Sequence, residues 1–366
     1  MKEVEILIVG GGPAGLGCAR ALAQRGFRSL VLERRSWPLD KVCGEGVMPV
    51  GVAALRRLGL EHPPGQPFAG VEYVHGQKHA GANFAEGPGR VIRRPDLSQA
   101  LLHPQLDYQD KVEIKHLSRQ GSCFEVESAA GERWRCRLLV GADGLHSRVR
   151  RELGWQLPTP NWLRRWGWRQ HYQMAPWNQR VEIHLSGVSE AYLSPAGPNL
   201  LGVALIQGPG KGRSQWLDDF PQLRERLGEP IGPLAGIGPL CQRVRHVAAP
   251  GVVLIGDAAG YLDACTGEGL SLAFLQAEAL GQNYPDLNAY VRRYRKLVRH
   301  YYIVTGLALA MMRFPRIFMP VLSRYPQQLQ RILSANQGLA SLPKSLGGLA
   351  LRALPALAAE WLGLAP

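Results

Sequence analysis

Hydrophobic positions fall into short apolar blocks early in the chain and again between 138 and 255, with a longer pattern beyond 286. Ile6-Leu7-Ile8-Val9 is a compact run of the kind that forms a buried strand. The turn Gly10-Gly11-Gly12-Pro13-Ala14-Gly15 follows, and then the small and apolar positions 16–23, which suit a helix packed closely on a sheet. A second strand, Ser29-Leu30-Val31-Leu32, ends at Glu33. Two later blocks repeat the buried-strand pattern, Leu138-Leu139-Val140 and Val252-Val253-Leu254-Ile255. Each runs into glycine and aspartate, as GADGLHSRVR at 141–150 and GDAAG at 256–260. In the middle of the chain, 168–174, 181–186, 191–194 and 201–206 read as short strands separated by Pro176, Gly187, 195–198 and 208–210.

After 286 the pattern is helical. An apolar run at 301–312 is broken by Arg313, Pro315 and Arg316 before 317–322, and 339–364 alternates leucine and alanine with Lys344, Arg352, Glu360 and Trp361. No uninterrupted stretch reaches the roughly 20 apolar residues that span a bilayer. Two readings stay open: short helices covering the core or a substrate channel, or an interfacial amphipathic element that meets a lipid-like substrate.

The chemistry lies in the glycine turns. Gly10, Gly12 and Gly15 have the GxGxxG spacing, in which the first glycine allows the turn, the second admits a pyrophosphate and the third lets helix and strand approach. The phosphates then lie at a helix N-terminus, whose free N–H groups favour anions. Glu33 stands 23 residues after Gly10, where a carboxylate reaches an adenosine ribose. The segment 266–274 (TGEGLSLAF) is a glycine-rich entry into a helix and a second anion site. These turns point to one dinucleotide held by a discontinuous domain. No GK[ST] follows the first turn, which sets a P-loop aside.

Composition narrows the class. With 366 residues, 46% hydrophobic and 20% charged, the chain is expected to fold into two lobes. Six scattered cysteines show neither a CxxC pair nor metal-ligand spacing, so reduced thiols, no metal site and a cytoplasmic setting are expected. The first strand begins within about four residues with no basic-then-apolar leader, so no cleaved signal peptide is expected. The formal charge of +14 includes clusters at 148–151, 164–165 and 292–296. No zinc-finger, RRM or helix-turn-helix signature accompanies them, so nucleic acid is not an expected partner. Phosphorylated cofactors, peripheral contact with an anionic membrane, and ordinary solvation remain as explanations.

Together the motifs resemble FAD-dependent oxidoreductases of the para-hydroxybenzoate hydroxylase and geranylgeranyl reductase superfamily, over roughly the first 290 residues. The resemblance implies an α/β fold: a Rossmann-like FAD-binding domain (1–66, 92–156 and 241–285), an inserted, mostly antiparallel substrate-binding sheet domain (67–91 and 157–240) and a helical C-terminal region (286–366). It implies that Gly10, Gly12, Pro13, Ala14, Gly15, Glu33 and Arg34 hold the ADP half of FAD, and that Arg94, in the RxxLxxxL pattern 94–101, contacts the cofactor. Asp143 and Gly144 match the DG motif at the pyrophosphate, Gly256 and Asp257 the ribityl-binding aspartate turn, and Gly267, Glu268 and Gly269 the flavin-ring segment. The loop 41–49 (KVCGEGVMP) resembles the cysteine-glycine loop of prenyl reductases and puts Cys43 and Gly44 beside the flavin. Cys43 is either the acid of an alkene reduction or a packing residue.

The resemblance leaves several chemistries. The reading placed first is an NAD(P)H-dependent monooxygenase hydroxylating an aromatic or lipophilic small molecule through a C4a-hydroperoxyflavin, with His171, His184 or Tyr192 as a base for a phenol. The alternative is reduction of isolated double bonds in a prenyl or other lipid. Ala264 and Glu268 stand where many hydroxylases have proline and glutamine. A halogenase, suggested by Trp166-Gly167-Trp168 and Lys78, lacks the Ile-Pro that completes its motif, since Gln170 and His171 stand there. A non-catalytic flavin-binding protein is the remaining option.

Overall fold

The computed structural model describes residues 1–208 and 210–336; the segment 339–364 lies outside the described residues. The buried strands form one sheet in the spatial order Ala248–Ala249, Val252–Leu254, Arg133–Gly141, Lys2–Val9, Ser29–Leu32, Asp107–Gln109. Its central pairs are parallel. A hairpin, Ile114–Gln120 with Cys123–Ser128, extends Arg133–Gly141 antiparallel. The expected first helix is Pro13–Ala23, and it packs against Gly269–Asn283 on one face of this sheet. A parallel sheet covered by helices buries both faces of its strands, which is why they read as continuous apolar runs.

The first turn obeys its glycine spacing for separable reasons. A Cβ on Gly15 would lie 1.8 Å from the Gly10 carbonyl oxygen, so helix and strand are as close as backbone allows. A Cβ on Gly12 would meet nothing within 4 Å. Packing demands Gly15 and is indifferent to Gly12.

A second sheet of seven strands has the order Glu229–Ile237, Trp166–Gln173, Leu200–Gln207, Ser189–Gly197, Val181–Leu185, Gly70–His75, Lys78–Asn83. It is antiparallel except where Val181–Leu185 runs parallel to Gly70–His75. Three of the four expected strands are longer than the apolar pattern suggests, Val181–Leu185 ends one residue early, and Glu229–Ile237 is not expected at all. That segment carries Pro230, Gly232, Pro233 and Gly236 and reads as a loop. It survives because an edge strand needs a ladder on one side only, here with Trp166–Gln173 across a register shift between Arg169 and His171.

Among the described residues three helices follow: Leu287–Arg313, Pro315–Arg324 and Pro326–Asn336. One face of the long helix is a ladder of hydroxyls. Tyr290 donates to Leu254 O at 3.1 Å, Tyr294 to Ala259 O at 2.6 Å and Tyr301 to Asp263 O at 2.8 Å, while Thr305 meets the Thr266 hydroxyl at 3.1 Å. The helix thereby fixes the third glycine motif and the TGEG segment from outside. Among the described residues no single helix is long and apolar enough to cross a membrane, and the first two helices of this group meet at 106°.

A buried triad joins the second sheet to the same segment. Arg165 pairs with Glu190 and, at 3.1 Å, with Asp263, and all three are below a tenth exposed. Burial pushes the Glu190 carboxyl up to about 7 against the pull of Arg165, and burial raises Asp263 as well. One guanidinium cannot keep two desolvated carboxylates ionised.

Two expectations follow from this packing. Gly15→Ala should give a protein that fails to fold or loses several kcal/mol, while Gly12→Ala should stay within about 1 kcal/mol of the parent by urea denaturation; equal losses would contradict the packing account. Because the folded Glu190 carboxyl holds its proton to higher pH than the unfolded one, its stabilising contribution is full below about 4.5 and is lost as pH rises through about 7. Unfolding free energy should fall across that window and fall less in Glu190→Gln, and an unchanged slope in the variant would remove the triad from the explanation.

Candidate functional site

Three turns distant in sequence close on one another. Gly10 has φ +108°, and a Cβ there would lie 2.4 Å from Ala142 O, in the second motif. A Cβ on Gly256, in the third, would lie 2.7 Å from the Ala14 Cβ of the first. Arg150, fully buried, holds this junction. Its guanidinium donates to Asp257 O at 3.1 Å, Ala258 O at 3.0 Å and Leu145 O at 2.7 Å, and its remaining N–H groups reach the Gln156 and Gln242 side chains. Five donors in a rigid fork suit this convergence of oxygens.

The acids of the motifs serve the turns as well. Glu33 accepts from Gly11 N at 2.8 Å and Arg35 N at 2.9 Å, so its carboxylate orders the first turn and retains acceptor capacity. One oxygen of Asp143 accepts from Arg148 N at 2.6 Å and Val149 N at 3.1 Å, while the other, Oδ1, is buried without a partner. Asp257 lies 3.4 Å from Lys41 Nζ.

A cavity of about 400 Å³ runs from these turns into the second sheet. It is lined by Gly10, Gly12, Pro13, Ala14, Glu33, Arg34, Cys43, Gly44, Arg94, Asp143, Gly144, Gly256, Asp257, Gly267, Glu268 and Gly269. Gly15 stays behind the wall, in the helix–strand contact. Lys41 and Glu45 also line it, and sequence reasoning passed over both.

Glu45 has the more informative geometry. It is 2% exposed, has φ +62°, and sits between Gly44 and Gly46 in the cysteine loop. A non-glycine residue there is strained and persists only where its surroundings over-determine it. They do so here: Glu45 accepts from Arg169 at 3.0 Å and from Arg94 N at 3.3 Å, and lies 2.8 Å from His171 Nε2. Arg169 grips Asp40 through two 2.8 Å bonds, which hold the Asp40 carboxyl below its ordinary range. Arg169 and His171, two apart on a strand, share a face, and that spacing was the signal available in the sequence. The Cys43 sulfur accepts from Glu45 N at 3.3 Å, so the network also orients the cysteine. Ser194 Oγ lies 3.4 Å from Gly44 O, and the sheet therefore roofs the loop.

The proposed bases fare differently. His171 is engaged by Glu45, and His184 by Glu182 at 3.2 Å; neither lines the cavity. Tyr192 does, but its hydroxyl donates to Cys265 O at 3.1 Å and burial raises its pKa well above the ordinary value, so it does not serve as a base. Of the aromatic residues of this region, Trp168 and Tyr192 line the cavity; Trp162 is 74% exposed and Trp177 stacks on Arg226. Lys78 is exposed on an edge strand, away from the cavity.

The residues present fit FAD. Among the described residues three features are unexplained by packing: open space over Gly12, the unpartnered Asp143 Oδ1, and the buried, unpartnered Arg94 Nε in the wall. A pyrophosphate against Gly12, a hydroxyl at Asp143 and an acceptor at Arg94 would satisfy each.

Comparison with known proteins agrees. The chain is 26% identical over 303 residues to digeranylgeranylglycerophospholipid reductase 1 of Methanopyrus kandleri, covering 76% of this chain and 80% of that protein. It is 26% identical over 317 residues to 3-demethoxyubiquinol 3-hydroxylase of Escherichia coli, covering 76% and 79%. A solved flavoprotein/dehydrogenase from Cytophaga hutchinsonii shares the fold with a TM-score of 0.81 at 17% identity, over 96% of this chain and 99% of that one. The FAD binding domain model matches residues 3–216, and the chain belongs to that family of FAD-dependent oxidoreductases.

Proposed function

We propose that the protein reduces a carbon–carbon double bond in a long-chain lipophilic molecule, drawing electrons from NAD(P)H through FAD. The observation that carries this reading is the change of character along one cavity. Among the described residues, every charged residue of its lining belongs to the cofactor half or to the Cys43–Glu45 loop. The residues contributed by the second sheet and the C-terminal helices, among them Tyr73, Ile183, Ile206, Ala308, Met311 and Leu329, carry none. Such a chamber takes an uncharged chain and leaves no partner for a free carboxylate or phosphate.

Bound FAD supplies the hydride; the chain must supply placement and a proton. Cys43 stands where the polar and apolar halves meet. Its sulfur already accepts from Glu45 N, which leaves its S–H to point elsewhere, and the ion pair of Glu45 with Arg169 and its hydrogen bond with His171 fix the loop against the sheet. In this reading the thiol protonates the second alkene carbon as hydride reaches the first. The reductase relative and the presence of Ala264 and Glu268 in place of the hydroxylase proline and glutamine support it.

Hydroxylation, the reading placed first from sequence, is the second. The hydroxylase relative favours it, and an apolar, water-poor chamber also suits oxygen transfer.

Anaerobic turnover separates the two. Holoprotein reduced without oxygen and mixed with a detergent-dispersed polyprenyl lipid should reoxidise as double bonds are lost, and Cys43→Ala should slow this step about 100-fold with flavin content unchanged. Reoxidation only after oxygen is admitted, with labelled oxygen in the product, would overturn the reductase reading in favour of hydroxylation. An unchanged rate in Cys43→Ala would remove the thiol as the acid.

A further inference from the structure

The helices after Asp286 have an exposed surface that neither the cofactor site nor the core explains. From 287 to 336 the sequence contains nine lysines and arginines and no aspartate or glutamate, and all nine basic residues are exposed. On the long helix, opposite the hydroxyl ladder, Arg292, Lys296, Arg299, Ile303, Leu307 and Ala310 recur every three or four residues, Phe314 follows at its C-cap, and every one of them is exposed. That spacing puts them on a single stripe, basic in its first half and apolar in its second. Ile303 is 40%, Leu307 36% and Phe314 53% exposed. Val188, 47% exposed, adjoins the apolar end, since Gly187 lies beside Arg313 and Pro315.

Leu307 also lines the cavity, together with Val304, Met311 and Ile332. The apolar chamber therefore reaches the surface within the apolar half of the stripe.

We infer that this stripe docks the protein on an anionic membrane surface, with the apolar arm of the cavity opening into the contact. Charge complementarity commits the partner to anionic lipid: among the described residues the stripe sets Arg292, Lys296 and Arg299 against Asp286, which lies 3.7 Å from Arg292, so the face is net positive and repels a second copy of itself, and apolar side chains beside the cations match a headgroup boundary rather than a nucleic-acid backbone. The 106° bend and the buried hydroxyl face fit a helix lying on the surface and do not suit a crossing. The inference rests on the lipophilic-substrate reading and names where that substrate enters.

Flotation of the full-chain holoprotein tests it. With vesicles of phosphatidylcholine plus about one-third phosphatidylglycerol at low salt, most of the protein should float. With phosphatidylcholine alone, or in about 1 M salt where screening shortens to about 3 Å, the floating fraction should drop at least tenfold. The double variant Ile303→Glu/Phe314→Glu, which alters no residue lining the cavity, should also lose flotation at least tenfold while keeping its flavin and its turnover of a short, water-dispersible alkene. Equal flotation with neutral and anionic vesicles would overturn the inference, as would unchanged flotation in the double variant. So would a protein that stays at the bottom of the gradient, whether because it binds duplex DNA instead, pairs with a second copy, or has this face covered by residues 337–366. A protein that floats but reduces no lipid sinks the substrate reading and leaves the docking intact; one that reduces dispersed lipid and never floats does the reverse.

Discussion

The buried guanidinium of Arg150 is the contact on which the cofactor site depends. It gathers the carbonyls of Leu145, Asp257 and Ala258, and the last two lie more than a hundred residues away along the chain. Removing a cation from water is costly, and here oxygens converge on its N–H groups to offset that cost. Hydrogen bonds to a charged group contribute about 1.5–3 kcal/mol each, so Arg150 ties the second motif firmly to the third. The first motif then closes on both through the Gly10–Ala142 and Ala14–Gly256 contacts. A dinucleotide site is what remains between them.

The same logic of paired faces extends outward. The long C-terminal helix uses four hydroxyls on one face to clamp the strand before the third motif, the motif itself and the segment that follows it, and presents the other face as a basic and apolar stripe. Between them, Val304 and Ala308 complete the far wall of the chamber. The cofactor turns, the chamber and the outer surface are thus mechanically continuous. The strained Glu45 loop stands at the midpoint, where the cavity changes from charged to apolar.

How much of this was legible depended on the range of the forces involved. The parallel strands and the first turn could be read because a buried strand is apolar throughout and a tight turn excludes side chains, both local constraints. Gly15 and Gly12 were read together, yet one answers to backbone packing and the other to open space. Arg150 could not be read: within RVRR it looks like any solvated cluster, and only the third dimension surrounds it with carbonyls. The role of Glu45 was hidden for the same reason, since its partners Arg169 and His171 arrive from another sheet. The edge strand Glu229–Ile237 was hidden by its own glycines and prolines. The stripe on the long helix, by contrast, lies in plain periodicity at 292, 296, 299, 303, 307, 310 and 314, within the region whose sequence leaves an interfacial amphipathic element as one of its two readings.

The central claim is that one cavity holds FAD at the joined turns and offers its reactive edge to the apolar chamber across the Cys43–Glu45 loop. A crystal structure of the FAD complex tests this most directly. The account requires the pyrophosphate over Gly12, the ribityl chain beside Asp257 and the flavin ring in contact with the Cys43–Gly44–Glu45 loop, with one edge facing the chamber. A ring turned out toward Arg34 and solvent, or a nucleotide bound away from these turns, would contradict it.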